Sequence, residues 1–119
     1  MSKIRMIKRR KVLTFTPVYD LHANVLLGYL GDLTLKGGLL ISETPIEIDQ
    51  TLSLGIEFDI TAGKPPSRII IPARVAWCKL EDHRTYYNTG LEFIVISDEN
   101  QKVISEVLDK FQLTRDMPK

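Results

Sequence analysis

Strand-like alternation is clearest in the stretch Leu52-Ser53-Leu54-Gly55-Ile56-Glu57-Phe58-Asp59. Its large apolar residues occupy every second position, and small or acidic residues stand between them. Side chains of a β-strand point alternately to opposite faces of a sheet, so this pattern predicts a strand with one buried and one exposed face.

The chain on both sides of this stretch has the same character. Further strands are predicted over Val12 to Tyr19, Val25 to Leu33, Leu39 to Ile41, Ile69 to Leu80 with an interruption at Pro72, and Tyr87 to Ile96. Residues 20–24 predict a turn, and Gly28 and Gly31 mark bulges or close backbone approaches. Period-two alternation predicts that Val75 and Trp77 lie on the same face of the strand Ile69 to Leu80. Roughly six short strands favour an antiparallel barrel or closed sheet.

Only the end of the chain has a helical pattern. Ser97 or Asp98 can cap a helix there, because either side chain accepts a hydrogen bond from a first-turn backbone N–H. One face of that helix is apolar and carries Val103, Ile104, Val107, Leu108 and Phe111. We interpret this face as the underside of a lid on the barrel. A partner-binding face is the alternative.

Length and composition indicate one ordinary domain. The chain has 119 residues, of which 44% are apolar and 26% charged. No apolar run is long enough to span a bilayer, and the basic start lacks the apolar segment of a secretory signal. A single cysteine, Cys78, excludes an internal disulfide and predicts a reducing, cytoplasmic location. We expect a basic N-terminal arm at 1–11, the barrel with its helix at 12–113, and a tail at 114–119.

The net charge of +1 hides an uneven distribution. The N-terminal arm holds six basic residues and no acid, whereas the remainder has ten basic and fifteen acidic residues. Guanidinium groups form forked hydrogen bonds to phosphates and to guanine edges. Arg5 and Arg9 can reach one ligand from the same side, whereas Arg10 points elsewhere or stacks on a base. A solvated, disordered tail is the alternative.

A polar segment, Asp32-Leu33-Thr34-Leu35-Lys36-Gly37-Gly38, has the chemistry that the arginines lack. A carboxylate can accept hydrogen bonds from guanine N–H groups, and a threonine hydroxyl can donate to a phosphate or a base. The two glycines let the backbone approach a ligand closely. Alternatively, Asp32 and Thr34 only organise a turn through bonds to the backbone.

Nothing in the sequence predicts an enzyme. His22, His83 and Cys78 do not have the spacing of metal ligands or of a nucleophile with its base, and no phosphate-binding loop or dinucleotide motif is present. We predict neither catalytic residues nor a metal site. Nucleic-acid binding is not favoured, because the body of the protein is acidic and has no predicted aromatic platform.

Three segments together resemble a known family. Arg5-Met6-Ile7-Lys8-Arg9 matches an RxxxR motif, and Asp32 to Gly37 matches a downstream (D/N)xSxxG motif at the usual distance. Tyr87-Asn88-Thr89-Gly90-Leu91-Glu92-Phe93 is similar to the late aromatic–Gly–x–x–Phe strand of the same family. The chain therefore resembles a PilZ domain, the bacterial receptor module for cyclic di-GMP, over nearly its whole length.

The resemblance implies a mainly β protein, a six-stranded antiparallel barrel with a C-terminal helix. It implies that Arg5 and Arg9 bind the phosphates and guanines of cyclic di-GMP, and that Asp32, Thr34 and Gly37 form the bottom of the site. Arg10 and Gly38 complete the predicted ligand-binding set. No cofactor is expected. Closure of the arm over the ligand would signal to a protein partner in motility, secretion or signalling.

Two departures leave an alternative function open. Thr34 stands where the family usually has serine, and Arg9-Arg10-Lys11 offers competing registers for the arginine motif. Family members with altered motifs often act as adaptors that do not bind nucleotide. The sequence leaves open whether one nucleotide or a stacked pair binds.

Overall fold

A computed structural model describes residues 16–60, 63–81 and 85–116, with the helix backbone alone over 111–116. The N-terminal arm, the predicted strand residues before Thr16 and the last three residues lie outside these ranges. The strands are β1 (Pro17–Asp20), β2 (Val25–Leu33), β3 (Gly37–Ser42), β4 (Thr51–Phe58), β5 (Ser67–Leu80) and β6 (Tyr87–Phe93). The helix α1 spans Asp98–Asp116, three residues beyond the predicted end of the barrel unit.

Within the described residues, the six strands form a closed antiparallel barrel. Their order around it is β1-β2-β3-β6-β5-β4. The predicted fold class is confirmed, and β2 has the predicted bounds. The predicted turn follows Asp20, whose Oδ1 accepts the backbone N–H of His22 at 3.0 Å.

Alternation builds the core as expected. The predicted inward residues of β4, from Leu52 to Phe58, are all at least 95% buried. They pack with inward residues of the other strands, including Leu30, Leu40 and Ile71. Burial of these side chains supplies most of the free energy that stabilises the barrel.

A bulge at Gly31 interrupts the alternation of β2. Leu30 stands opposite Leu40, but Asp32 stands opposite Leu39, so Gly31 is the extra residue. The extra residue turns the Asp32 side chain outward and returns the buried Leu33 to the inside. The prediction of a bulge is confirmed at Gly31. The prediction of close backbone approach is confirmed at Gly28, where a Cβ atom would lie 2.1 Å from the carbonyl oxygen of Ile41.

A second bulge corrects the prediction for Trp77. Val75 stands opposite Leu91, whereas Trp77 stands opposite Gly90, so Ala76 is the extra residue. Val75 is fully buried, but Trp77 is 43% exposed. The prediction that these two side chains share a face was wrong, because the extra residue reverses the inward and outward positions after it.

The predictions for β5 and β6 also need correction. Pro72 does not interrupt β5, in which it stands opposite Ser53. Its carbonyl accepts the backbone N–H of Ile94 at 2.9 Å, so the sheet contact remains satisfied without a proline N–H. The last predicted strand ends at Phe93 rather than at Ile96, because the chain leaves the barrel to start the helix.

The helix covers the barrel. Ser97 caps it by accepting the backbone N–H of Asn100 at 3.1 Å, and the Asn100 amide donates to the carbonyl of Ile70 in β5 at 2.8 Å. Ile104 and Val107 are buried against the core. The interpretation as a lid is confirmed for the described side chains.

We predict that Ile104→Ala destabilises the protein by about 2–5 kcal/mol, because it leaves a cavity under the helix. Urea unfolding followed by circular dichroism measures the change. The exposed substitution Lys102→Ala, on the same helix, is the control and should shift stability by less than about 0.5 kcal/mol. Equal effects of the two substitutions would contradict packing of the helix as a lid.

Candidate ligand-binding cleft

One row of residues crosses four neighbouring strands on the outside of the barrel. Asp32 in β2 stands opposite Leu39 in β3, Leu39 opposite Gly90 in β6, and Gly90 opposite Trp77 in β5. Strands are spaced about 4.8 Å apart, so the backbone positions of the row span about 14 Å. Because the indole of Trp77 lies over Gly90, it is two strand spacings, or about 10 Å, from Asp32. An open cleft of about 400 Å³ lies along it, hereafter the cleft.

One end of the cleft is lined by the predicted polar segment, apart from Leu35. Asp32, Thr34, Gly37 and Gly38 all line it. The predicted arginines, Arg5, Arg9 and Arg10, lie outside the described residues, so their position relative to the cleft stays a prediction.

Thr34 organises the tight turn between β2 and β3. Its hydroxyl oxygen accepts the backbone N–H groups of Lys36 and Gly37, each at 3.1 Å, and its hydroxyl donates to the carbonyl of Gly37 at 3.3 Å. The backbone N–H of Thr34 donates to the same carbonyl at 2.8 Å. The side chain therefore supports the turn that holds Asp32 beside the cleft, as the turn-forming alternative predicted.

Asp32 presents its carboxylate to the cleft. Its Oδ1 atom accepts the backbone N–H of Leu33 at 2.9 Å, which limits rotation of the side chain. The residue is exposed, so the remaining lone pairs of the carboxylate can accept hydrogen bonds from a ligand.

The two glycines are required by packing between strands. A Cβ atom on Gly37 would lie 2.0 Å from the carbonyl oxygen of Leu91, and one on Gly38 would lie 2.9 Å from that of Asp32. A Cβ on Gly38 would also approach Leu30, so it would point into the barrel. These positions therefore keep β2, β3 and β6 close together.

Trp77 forms the other end of the cleft, and the sequence analysis did not identify it as a site residue. Its indole lies over Gly90, where a Cβ atom would come within 2.2 Å of Nε1. An exposed indole supported by backbone is a suitable surface for stacking a purine. The sequence shows a tryptophan and a glycine in two predicted strands, but Trp77 stands opposite Gly90 only because of the bulge at Ala76.

Glu92 adds a second carboxylate to the cleft. Its Oε1 atom accepts hydrogen bonds from Arg74, at 3.1 Å from Nε and 2.7 Å from Nη2. Arg74 Nη1 also donates to Asp49 at 2.6 Å. The hydrogen bond and charge of Glu92, with a smaller effect of Asp49, raise the pKa of Arg74, so this cation is permanent.

Cys78 and His22, which the sequence analysis considered as reactive or metal-binding residues, lie in ordinary structural positions. Cys78 is half-buried, and its sulfur accepts from the Thr89 hydroxyl at 3.3 Å and the Ile46 backbone N–H at 3.5 Å. His22 is exposed in its turn, as expected, whereas His83 lies outside the described residues. Among the described residues, no group of three or more potential ligands is arranged to hold a metal ion. No described helix is long and apolar enough to cross a membrane.

The barrel, its helix and the cleft define a small binding domain. The model of the PilZ domain family matches residues 5–110, so the chain belongs to the PilZ family. Searches of curated proteins and of solved structures found no match.

We predict that Gly90→Ala displaces the Trp77 indole, because the new methyl group overlaps the ring. Trp77 is the only tryptophan of the chain, so its fluorescence emission reports the change directly. We expect a red shift as the ring becomes more exposed. Gly55→Ala is the control, since its nearest contact is the flexible end of Leu21 at 2.9 Å. Unchanged emission of Gly90→Ala would contradict the stacked position.

We predict that Thr34→Val lowers the free energy of unfolding by about 1–2 kcal/mol, because it removes the hydroxyl that bonds to the turn. Thr34→Ser keeps that hydroxyl and should remain within about 0.5 kcal/mol of wild type. Chemical unfolding of the three proteins measures the difference. Equal stability of the valine and serine variants would show that these hydrogen bonds do not hold the turn.

Proposed function

We propose that this protein is a non-enzymatic receptor for cyclic di-GMP. PilZ domains are generally receptors of this nucleotide. The observation that supports the proposal most directly is the row across the cleft, which has a hydrogen-bond acceptor, Asp32, at one end and an aromatic surface, Trp77, at the other.

The chemistry of the cleft suits guanine bases. A carboxylate such as Asp32 accepts from the N–H groups of guanine, and an indole stacks on the flat face of a purine. A separation of about 10 Å between these groups, from two strand spacings, suits a ligand with more than one base. In the proposed complex, Leu39 and Gly90 form the surface between Asp32 and Trp77, and Gly37 and Gly38 let the ligand approach the backbone beside Asp32.

The phosphates require cations from elsewhere in the chain. In the proposal, Arg5 and Arg9 pair with phosphate oxygens and guanine edges, and Arg10 stacks on a base or pairs with a phosphate. Thr34 contributes by holding the turn under Asp32. Ordering of the N-terminal arm over the nucleotide would then change the surface presented to a protein partner, in the cytoplasm.

Isothermal titration of the purified full chain with cyclic di-GMP, with GTP as the control ligand, tests the proposal. We expect saturable binding that is selective over GTP. Asp32→Ala and Arg9→Ala should each weaken it by about 10- to 100-fold, the loss expected for a hydrogen bond to a charged group. The matched controls are Asp59→Ala and Lys3→Ala, which should bind like wild type.

Two results would contradict the proposal. One is the absence of heat together with an unchanged melting temperature at high ligand concentration, which would favour the adaptor function instead. The other is wild-type affinity in both Asp32→Ala and Arg9→Ala, which would place the nucleotide elsewhere. Thermal melts of each variant show whether the barrel remains folded.

A further inference from the structure

Glu92 has one carboxylate oxygen in use and one available. Both Arg74 donors bind the same atom, Oε1, at 3.1 and 2.7 Å. No described residue donates a hydrogen bond to Oε2. The side chain is 57% exposed and lines the cleft, so Oε2 is accessible to a ligand.

Glu92 is the end of a short chain of ion pairs. Arg74 is fixed on its other side by Asp49, at 2.6 Å from Nη1. Asp49 is itself held by its backbone N–H, which donates to the carbonyl of Val75 at 2.8 Å. Because both Arg74 donors bind Oε1, Oε2 is the oxygen that remains for the donors of a ligand.

Glu92 lies beside the aromatic surface. It follows Gly90 by two residues in β6, so both face outward and their Cα atoms are separated by about 6.8 Å along the strand. Trp77 covers Gly90. A purine stacked on the indole therefore has one edge next to Glu92.

We propose that Glu92 determines base specificity by accepting hydrogen bonds from the N1–H and 2-amino groups of a guanine stacked on Trp77. Adenine has no donor at N1 and no 2-amino group, and hypoxanthine lacks the 2-amino group alone. This inference rests on the proposed function. It assigns one guanine of the ligand to Trp77 and Glu92, and leaves the other to Asp32.

Arg74 is a positioning residue in this arrangement. An unpaired carboxylate in the cleft repels the phosphates of an anionic ligand, and the adjacent cation offsets that repulsion. Loss of Arg74 is therefore expected to weaken binding through Glu92. Removal of Glu92 as well should reverse part of that loss, since the repelling charge is then absent.

The test compares cyclic di-GMP, cyclic di-IMP and cyclic di-AMP by titration of the full-length protein. Wild type should prefer cyclic di-GMP over cyclic di-IMP by about tenfold, equivalent to about 1.4 kcal/mol. In Glu92→Ala this preference should fall to about threefold, half of the about 1.4 kcal/mol, because Asp32 still accepts from the other guanine. Glu92→Gln should lose the preference to the same extent, because Arg74 binds its amide oxygen and the remaining –NH2 group is a donor. The control Glu106→Gln, on the exposed side of the helix, should keep the wild-type preference.

The outcomes separate this inference from the proposed function. If wild type binds cyclic di-GMP but Glu92→Ala keeps the full preference over cyclic di-IMP, the role of Glu92 is refuted and the receptor function stands. If wild type binds none of the three nucleotides, both fail. Arg74→Ala should bind cyclic di-GMP more weakly than the double variant Arg74→Ala/Glu92→Ala, and the opposite order would refute the positioning role.

Discussion

Two single-residue bulges determine what this barrel presents on its surface. Strict alternation would turn Asp32 toward Leu30 inside the core, where an unpaired carboxylate is costly, and would bury Trp77. The bulges at Gly31 and Ala76 reverse the faces of both strands just before these residues. The core and the cleft both depend on the bulge at Gly31, because it also returns the buried Leu33 to the inside.

Close strand packing then shapes the surface between the two ends. At Gly37 and Gly90, a neighbouring carbonyl or the indole occupies the space that a side chain would need. The middle of the cleft is consequently backbone and the half-exposed Leu39. A ligand with flat bases can approach such a surface more closely than one covered with long side chains.

Local sequence patterns predicted most of the fold. The bounds of β2, the inward face of β4 and the cap at Ser97 follow from period-two alternation and from capping chemistry, which act over a few residues. The position of Trp77 does not, because it depends on register between β5 and β6. The ion pairs of Arg74 likewise join residues 18 and 25 positions apart. Residues of the polar segment line the cleft, whereas their role in ligand binding stays a prediction, and the part played by Thr34 needed the geometry of the turn.

The charges of the cleft indicate which part of the ligand the barrel can bind. Its described lining has two carboxylates, on Asp32 and Glu92, and one cation, Lys36. Arg74 is already paired with two acids. A ligand with two phosphates needs more positive charge than this surface offers, and the N-terminal arm carries the predicted arginines Arg5, Arg9 and Arg10. In the proposed complex the barrel therefore selects the bases and the arm pairs with the phosphates.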